Sequence, residues 1–194
     1  MEIAELIDGC KKWHKKAQNE LYDKYAGRLF AVCLRYISNR NDAEDVLQES
    51  LVKIYKNIDS FSYTEDKAFY YWMNRIVVNT ALNHIRKNLK NKFDTDINQV
   101  ENEFSGPDNA AFSQYDEIIE YIGSQKLFQI VQELPDGYRT VFNLYVVENY
   151  SHKEISEQLD ISVNTSKTQL LRARKMLSSK ISKIIDKNIF KEVV

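Results

Sequence analysis

The chain has 194 residues, 43% of them hydrophobic, and 27 Lys/Arg against 28 Asp/Glu. That composition excludes disorder throughout, and the length suffices for one medium domain or two small ones. Five Gly and two Pro are few for a protein of many strands and turns, so the helical apolar spacing described below makes the class all-α.

Leu21, Tyr25, Leu29, Val32 and Tyr36 recur at helical spacing and predict an amphipathic helix over about residues 16–37. SNRND breaks it. Asn41 followed by Glu44 is a capping signal, and Ala43, Leu47, Leu51, Ile54 and Ile58 stripe a second helix. The opposite face of that helix carries Asp42, Asp45, Gln48, Glu49 and Lys53. A polar loop over about 60–67 leads into a third helix that runs to about Lys90, with Phe69, Trp72, Ile76, Thr80 and Ala81 inward. Its outer stripe is Arg75, Asn79, Asn83 and Arg86, with Lys87 adjoining, and Phe61, Tyr63, Phe69, Tyr70, Tyr71 and Trp72 crowd just before it. Rings stack on unpaired bases while Arg and Asn hold phosphates and base edges, so this surface suits opened nucleic acid, although Phe69 and Trp72 read as core. An acidic face on the neighbouring helix would repel nucleic acid and points instead to a basic protein surface.

From Asn91 to Ser113 the chain is polar and aperiodic, which predicts a flexible linker between residues 1–90 and 114–194. Charge is distributed accordingly. Residues 1–90 carry 15 Lys/Arg against 12 Asp/Glu, residues 91–125 carry 1 against 8, and residues 126–194 carry 11 against 8. Two basic lobes thus flank an acidic connector. Helical spacing resumes with Ile118, Ile119 and Ile122, continues through Leu127, Ile130, Val131 and Leu134, and restarts after Pro135 with Val141, Phe142 and Tyr145. Four or five helices are expected here.

The last of them are the most informative. Ser151 and Glu154 have capping-box spacing, with Ile155 and Leu159 on one face of the helix they open. Asp160 tolerates the left-handed backbone a tight turn needs, and Ser162 or Asn164 caps the next helix. On that helix Leu170, Ala173 and Leu177 form one stripe, and Lys167, Thr168, Leu171, Arg172 and Lys175 another. Residues 162–185 hold six Lys/Arg and no carboxylate. Cap, turn and two-faced basic helix in register read as a helix-turn-helix whose second helix enters a major groove, with Ser162, Asn164, Lys167, Thr168, Leu171, Arg172 and Lys175 as the candidate DNA contacts.

Enzyme chemistry lacks support, since no carboxylate is paired with His or Cys at meaningful spacing and no glycine-rich phosphate loop exists. Neither Cys10 and Cys33 nor the three histidines show metal or redox spacing, so no metal and no cofactor is expected, and free cysteines fit a reducing cytosol. No apolar run reaches membrane-spanning length and the acidic start MEIAELIDGC is unlike a signal peptide, so the expected location is cytoplasmic, without membrane insertion.

Three blocks, DAEDVLQESLVKIYKNIDSF, AFYYWMNRIVVNTALNHIRK and LPDGYRTVFNLYVVENYSHKEISEQLDISVNTSKTQLLRARKML, resemble extracytoplasmic-function sigma factors of bacteria over about residues 17–182. The resemblance implies two small helical domains, a three- to four-helix sigma region two bundle and a helix-turn-helix sigma region four domain. It implies core RNA polymerase as partner through its clamp coiled coil and flap, promoter DNA as target, and an anti-sigma factor as regulator. It places Asp45, Gln48 and Glu49 on the polymerase-contacting helix, Asn79, Asn83 and Arg86 at the minus-ten element, and Lys167, Thr168, Leu171 and Arg172 in the major groove of the minus-thirty-five element. The loop with Ser62, Tyr63 and Lys67 would capture a flipped base. Family members often carry Gly at the position of Asp160, and a packing Val at that of Ser166, so the serine is expected to loosen the second helix. The alternative is a stand-alone helix-turn-helix regulator, for which no heptad seam or ligand pocket is evident.

Overall fold

The structure is a computed structural model that describes residues 2–89 and 124–192. No strand occurs among these residues, which form two compact helical units, one on each side of the undescribed stretch. The expected linker and the apolar positions Ile118, Ile119 and Ile122 lie outside the described residues.

The first unit has four helices, α1 (Ile3–Lys11), α2 (Lys15–Tyr36), α3 (Arg40–Asn57) and α4 (Asp66–Leu89), with a 3-10 turn at Ile58–Ser60. Helix α1 is absent from the sequence expectation, yet Ile3, Leu6, Ile7 and Cys10 are all buried at i, i+3, i+4 and i+7 spacing. It packs against α2 so closely that a Cβ on Gly9 would lie 2.6 Å from that of Ala17. The turn between them puts Trp13 in the left-handed region with φ 58° and leaves its indole exposed.

The apolar stripes of α2 and α3 are buried as expected, Leu21, Leu29, Tyr36, Ala43 and Ile54 completely. Each fully buried aliphatic side chain contributes about 1.5–3 kcal/mol relative to exposure, which fixes the inward face of every helix. Two expectations shift. Helix α3 begins before Asn41, because Asn39 is the cap, its Oδ1 accepting from the Asn41 and Asp42 backbone N–H groups at 2.8 and 3.3 Å. On α4 the core is Phe69, Met73, Val77, Val78, Thr80, Ala81, Leu82 and Ile85, with Trp72 and Ile76 only half-buried at its margin.

The second unit contains α5 (Ser124–Gln132), α6 (Asp136–Phe142), a π turn (Asn143–Val147), α7 (His152–Leu159) and α8 (Val163–Glu192). Helices α5, α6 and α7 all pack on α8. Arg139 is buried within this unit, where its guanidinium donates to the carbonyls of Gln132 and Leu134 at 3.1 and 2.9 Å and to Asp136 Oδ1 at 2.6 Å. A buried charge is tolerable only with such saturation, and here it closes the corner between α5 and α6.

Candidate functional site

Helix α3 turns Asp45, Gln48 and Glu49 to solvent, with Asp42 half-buried one turn earlier. Val52 continues this face and is 52% exposed. Lys53 differs from its neighbours: its ammonium pairs with Glu49 at 2.7 Å and donates to Thr80 Oγ1 on α4 at 3.1 Å. The hydrogen bond from Lys53 holds the Glu49 carboxyl below the ordinary glutamate range, with Lys87 and His84 of α4 adding to the effect. The face that remains available is Asp45, Gln48, Glu49 and Val52.

Helix α4 shows Arg75, Asn83 and Lys87 to solvent and half-buries Asn79 and Arg86 between them. Arg86 Nη2 donates to Asn83 Oδ1 at 2.7 Å, which orients the Asn83 amide. Tyr71 stands one turn before Arg75 on the same stripe and is 64% exposed. Most of the other aromatics are structural. Phe61, Phe69 and Trp72 pack together with ring centroids 5.2–5.9 Å apart, and Tyr70 stacks on Tyr25 beneath the Arg28 guanidinium. Ser62 and Tyr63 lie in the exposed segment before α4, whereas Lys67, expected in the loop, belongs to the first turn of the helix. Tyr63 donates to Asp66 Oδ1 at 2.7 Å, a bond that raises its pKa. Helix α1 braces the loop base through Lys11 Nζ, which donates to the Phe61 carbonyl at 2.9 Å.

In the second unit the capping box is complete: Ser151 Oγ accepts from Glu154 N–H, and Glu154 accepts from Ser151 N–H at 2.8 Å. The Ser151 N–H and the Ser151 hydroxyl, which donates to Glu154 Oε2 at 2.7 Å, hold the Glu154 carboxyl below its usual range. Asp160 takes φ 56°, ψ 46° as the turn requires. Ser162 caps α8, accepting from Thr165 N–H at 2.9 Å, so the choice left open at sequence level falls on Ser162, and Asn164 is an exposed first-turn residue. Leu170, Ala173 and Leu177 are buried. Opposite them Lys167, Leu171 and Lys175 are exposed and Thr168 and Arg172 half-buried, with Arg172 Nη1 donating to the Tyr138 hydroxyl at 3.2 Å. This is the geometry of a helix seated on its domain with a basic, partly apolar stripe facing out.

The family models for Sigma-70 region 2 and Sigma-70 region 4 match residues 21–90 and 124–177. The ECF RNA polymerase sigma-E factor of Haemophilus influenzae is 33% identical over 190 residues, covering 93% of this chain and 95% of the relative. The chain belongs to the ECF sigma factors. The sigma-E factor of Escherichia coli K12 is 30% identical over 93% of this chain and 94% of its own length. Among solved structures, the sigma factor RpoE in complex with the anti-sigma factor NepR from Bartonella quintana is 22% identical, with 88% of this chain and 98% of that one covered at a TM-score of 0.45.

A sigma factor directs RNA polymerase to promoters, and a stand-alone helix-turn-helix regulator is accordingly not favoured for this chain. No helix among the described residues is long and apolar enough to cross a membrane. Sequence reasoning missed Val52 as a surface residue of this sigma factor. Val52 was legible as the residue one turn beyond Gln48 and Glu49. Among the aromatics that the sequence leaves together before the basic stripe, packing separates exposed Tyr71 from buried Phe61 and from Tyr70, which stacks on Tyr25.

Proposed function

We propose that this sigma factor divides its work as follows: residues 1–90 bind core polymerase and open the minus-ten element, residues 114–194 read the minus-thirty-five element, and residues 91–113 connect them. The α3 face of Asp45, Gln48, Glu49 and Val52 meets the polymerase clamp. Its charge suits a basic partner, and the exposed valine supplies an apolar centre for the contact. Arg75, Asn79, Asn83, Arg86 and Lys87 receive the non-template strand, with Tyr63 and Tyr71 as stacking surfaces. Lys167, Thr168, Leu171 and Arg172 read base edges, and Lys175 holds phosphate. The protein acts in the cytoplasm. On family grounds we assign an anti-sigma factor as the partner that holds it inactive.

The observation that carries this reading is the two-sidedness of α4, which buries Phe69, Met73, Val77 and Ala81 in the core and leaves an aromatic, basic and amide-bearing stripe outside. A pocket that traps a flipped base offsets an unstacking cost of a few kcal/mol, so it matters most while the strands are still paired. Alanine at Asn79 and Asn83 is therefore expected to reduce transcription strongly from a duplex promoter and much less from one mismatched and open over the minus-ten region. Equal loss on both templates would withdraw the melting role.

A further inference from the structure

Ser166, in the first turns of α8, is 0% exposed. A buried hydroxyl without a hydrogen-bond partner is destabilising, and the partner here is His152 at the start of α7, whose Nδ1 lies 2.9 Å from Ser166 Oγ. The imidazole is itself held. It stacks on Tyr145 of the π turn with centroids 4.6 Å apart and 25° between the planes, and the Arg174 guanidinium lies 5.7 Å from the centre of the same tyrosine ring. Arg174, Tyr145, His152 and Ser166 thus form a chain of contacts whose two ends are both on α8, at positions about two helical turns apart.

A hydrogen bond is directional, whereas apolar contact is not. An aliphatic side chain at position 166 would seal the interface yet permit α8 to roll or slide; the Ser166–His152 bond and the Tyr145–Arg174 contact, acting at two points, oppose both motions. The expected loosening at Ser166 is replaced by a polar lock. Lys167 and Thr168 directly follow Ser166, and Arg172 stands two residues before Arg174, so the locked segment carries the outward stripe.

We propose that His152 is a positioning residue for duplex reading: acting through Ser166, it sets the roll of α8 and so the angle at which Lys167, Thr168 and Arg172 meet base edges. This role rests on the reading of that stripe as the surface that contacts duplex DNA. Base-edge hydrogen bonds weaken steeply when misaligned, while phosphate contacts of lysine tolerate displacement. Loss of the lock therefore costs discrimination between bases before it costs general attraction.

The test uses the full chain bound to core RNA polymerase and duplexes randomised across the upstream element, with sequencing of the bound fraction and thermal unfolding of each variant. Ser166→Ala removes the hydroxyl; His152→Phe keeps a ring against Tyr145 but no hydrogen-bonding nitrogen. Each is expected to flatten the upstream base preferences about tenfold with an unchanged salt slope. His152→Asn, which puts an amide atom where Nδ1 stood, is expected to restore them. Retained preferences in both variants, with only a lower unfolding temperature, would overturn the positioning role. Lys167→Ala and Arg172→Ala separate the two ideas: if they also leave preferences unchanged, the assignment of this stripe to duplex reading fails; if they alone flatten them, only the role of His152 does. Should Ser166→Ala not fold, His152→Phe decides.

Discussion

Lys53 serves two helices at once. It pairs with Glu49 along α3 and donates to Thr80 across to α4, so it braces the α3 face proposed to meet polymerase more than it forms part of it. The Glu49 carboxyl, held low first by that hydrogen bond, contributes stability when ionised. This contribution is present above the ordinary glutamate pKa and is lost as pH falls through the lowered one. Lys53→Met is expected to move the Glu49 titration back toward the ordinary value, as followed by carboxyl NMR; an unmoved midpoint would show that the pair is not what lowers it. Arg172 has a similar double engagement through Tyr138. Its replacement by Ala is expected to cost about 1–3 kcal/mol and to relax specificity at one or two base pairs, whereas Lys175→Ala weakens binding to all sequences alike. Tyr138→Phe is the control, removing the internal bond while keeping the guanidinium. If Arg172→Ala and Lys175→Ala lower binding equally on every promoter variant, Arg172 is a phosphate contact.

At the scale of elements, one turn and one helix–helix contact are each set by a single residue. Asp160 holds the left-handed conformation between α7 and α8, where most side chains cost roughly 1–2 kcal/mol and glycine costs nothing sterically. Asp160→Val is expected to destabilise by about that amount, with Asp160→Gly neutral or mildly stabilising. Chemical denaturation reads both, and equal stability of the two variants would show that the turn relaxes. Gly9 answers a different need, the contact with Ala17. Gly9→Ala forces α1 from α2 and is expected to cost about 1–3 kcal/mol through overpacking. Since α1 also holds the base of the loop through Lys11 and the Phe61 carbonyl, the same variant should loosen residues 61–65, seen as faster amide hydrogen exchange there. Unchanged exchange would confine the effect of α1 to the core.

For the whole molecule, the proposed division of work implies that two units binding promoter DNA weakly on their own become selective once joined on polymerase, because the first contact raises the effective concentration of the second. On that reading, retention on core enzyme comes first. Asp45→Lys reverses an exposed charge on α3 and leaves the Glu49–Lys53 pair intact, which makes it a cleaner probe than a change at Glu49. It is expected to weaken association with core by a few kcal/mol if the contact is desolvated, with unfolding unaltered. Co-elution with core as in the parent would remove this face from the polymerase interface.

The sequence by itself determined the helical class, the inward stripes of α2, α3 and α8, the capping box at Ser151 and the left-handed turn at Asp160, because each of these is written in periodicity, in residues three or four apart or, for the turn, in the residue type itself. Helix α1 is legible by the same rule, through Ile3, Leu6, Ile7 and Cys10. The tertiary structure alone decided that Phe61 is core while Tyr71 faces out, why Lys53 is a brace, and what partners Ser166 and Arg172 find. Those partners stand 27, 14 and 34 residues away for Lys53, Ser166 and Arg172. No local period records such a pairing, since it arises only when helices already shaped by their own stripes pack and bring distant polar groups out of water together.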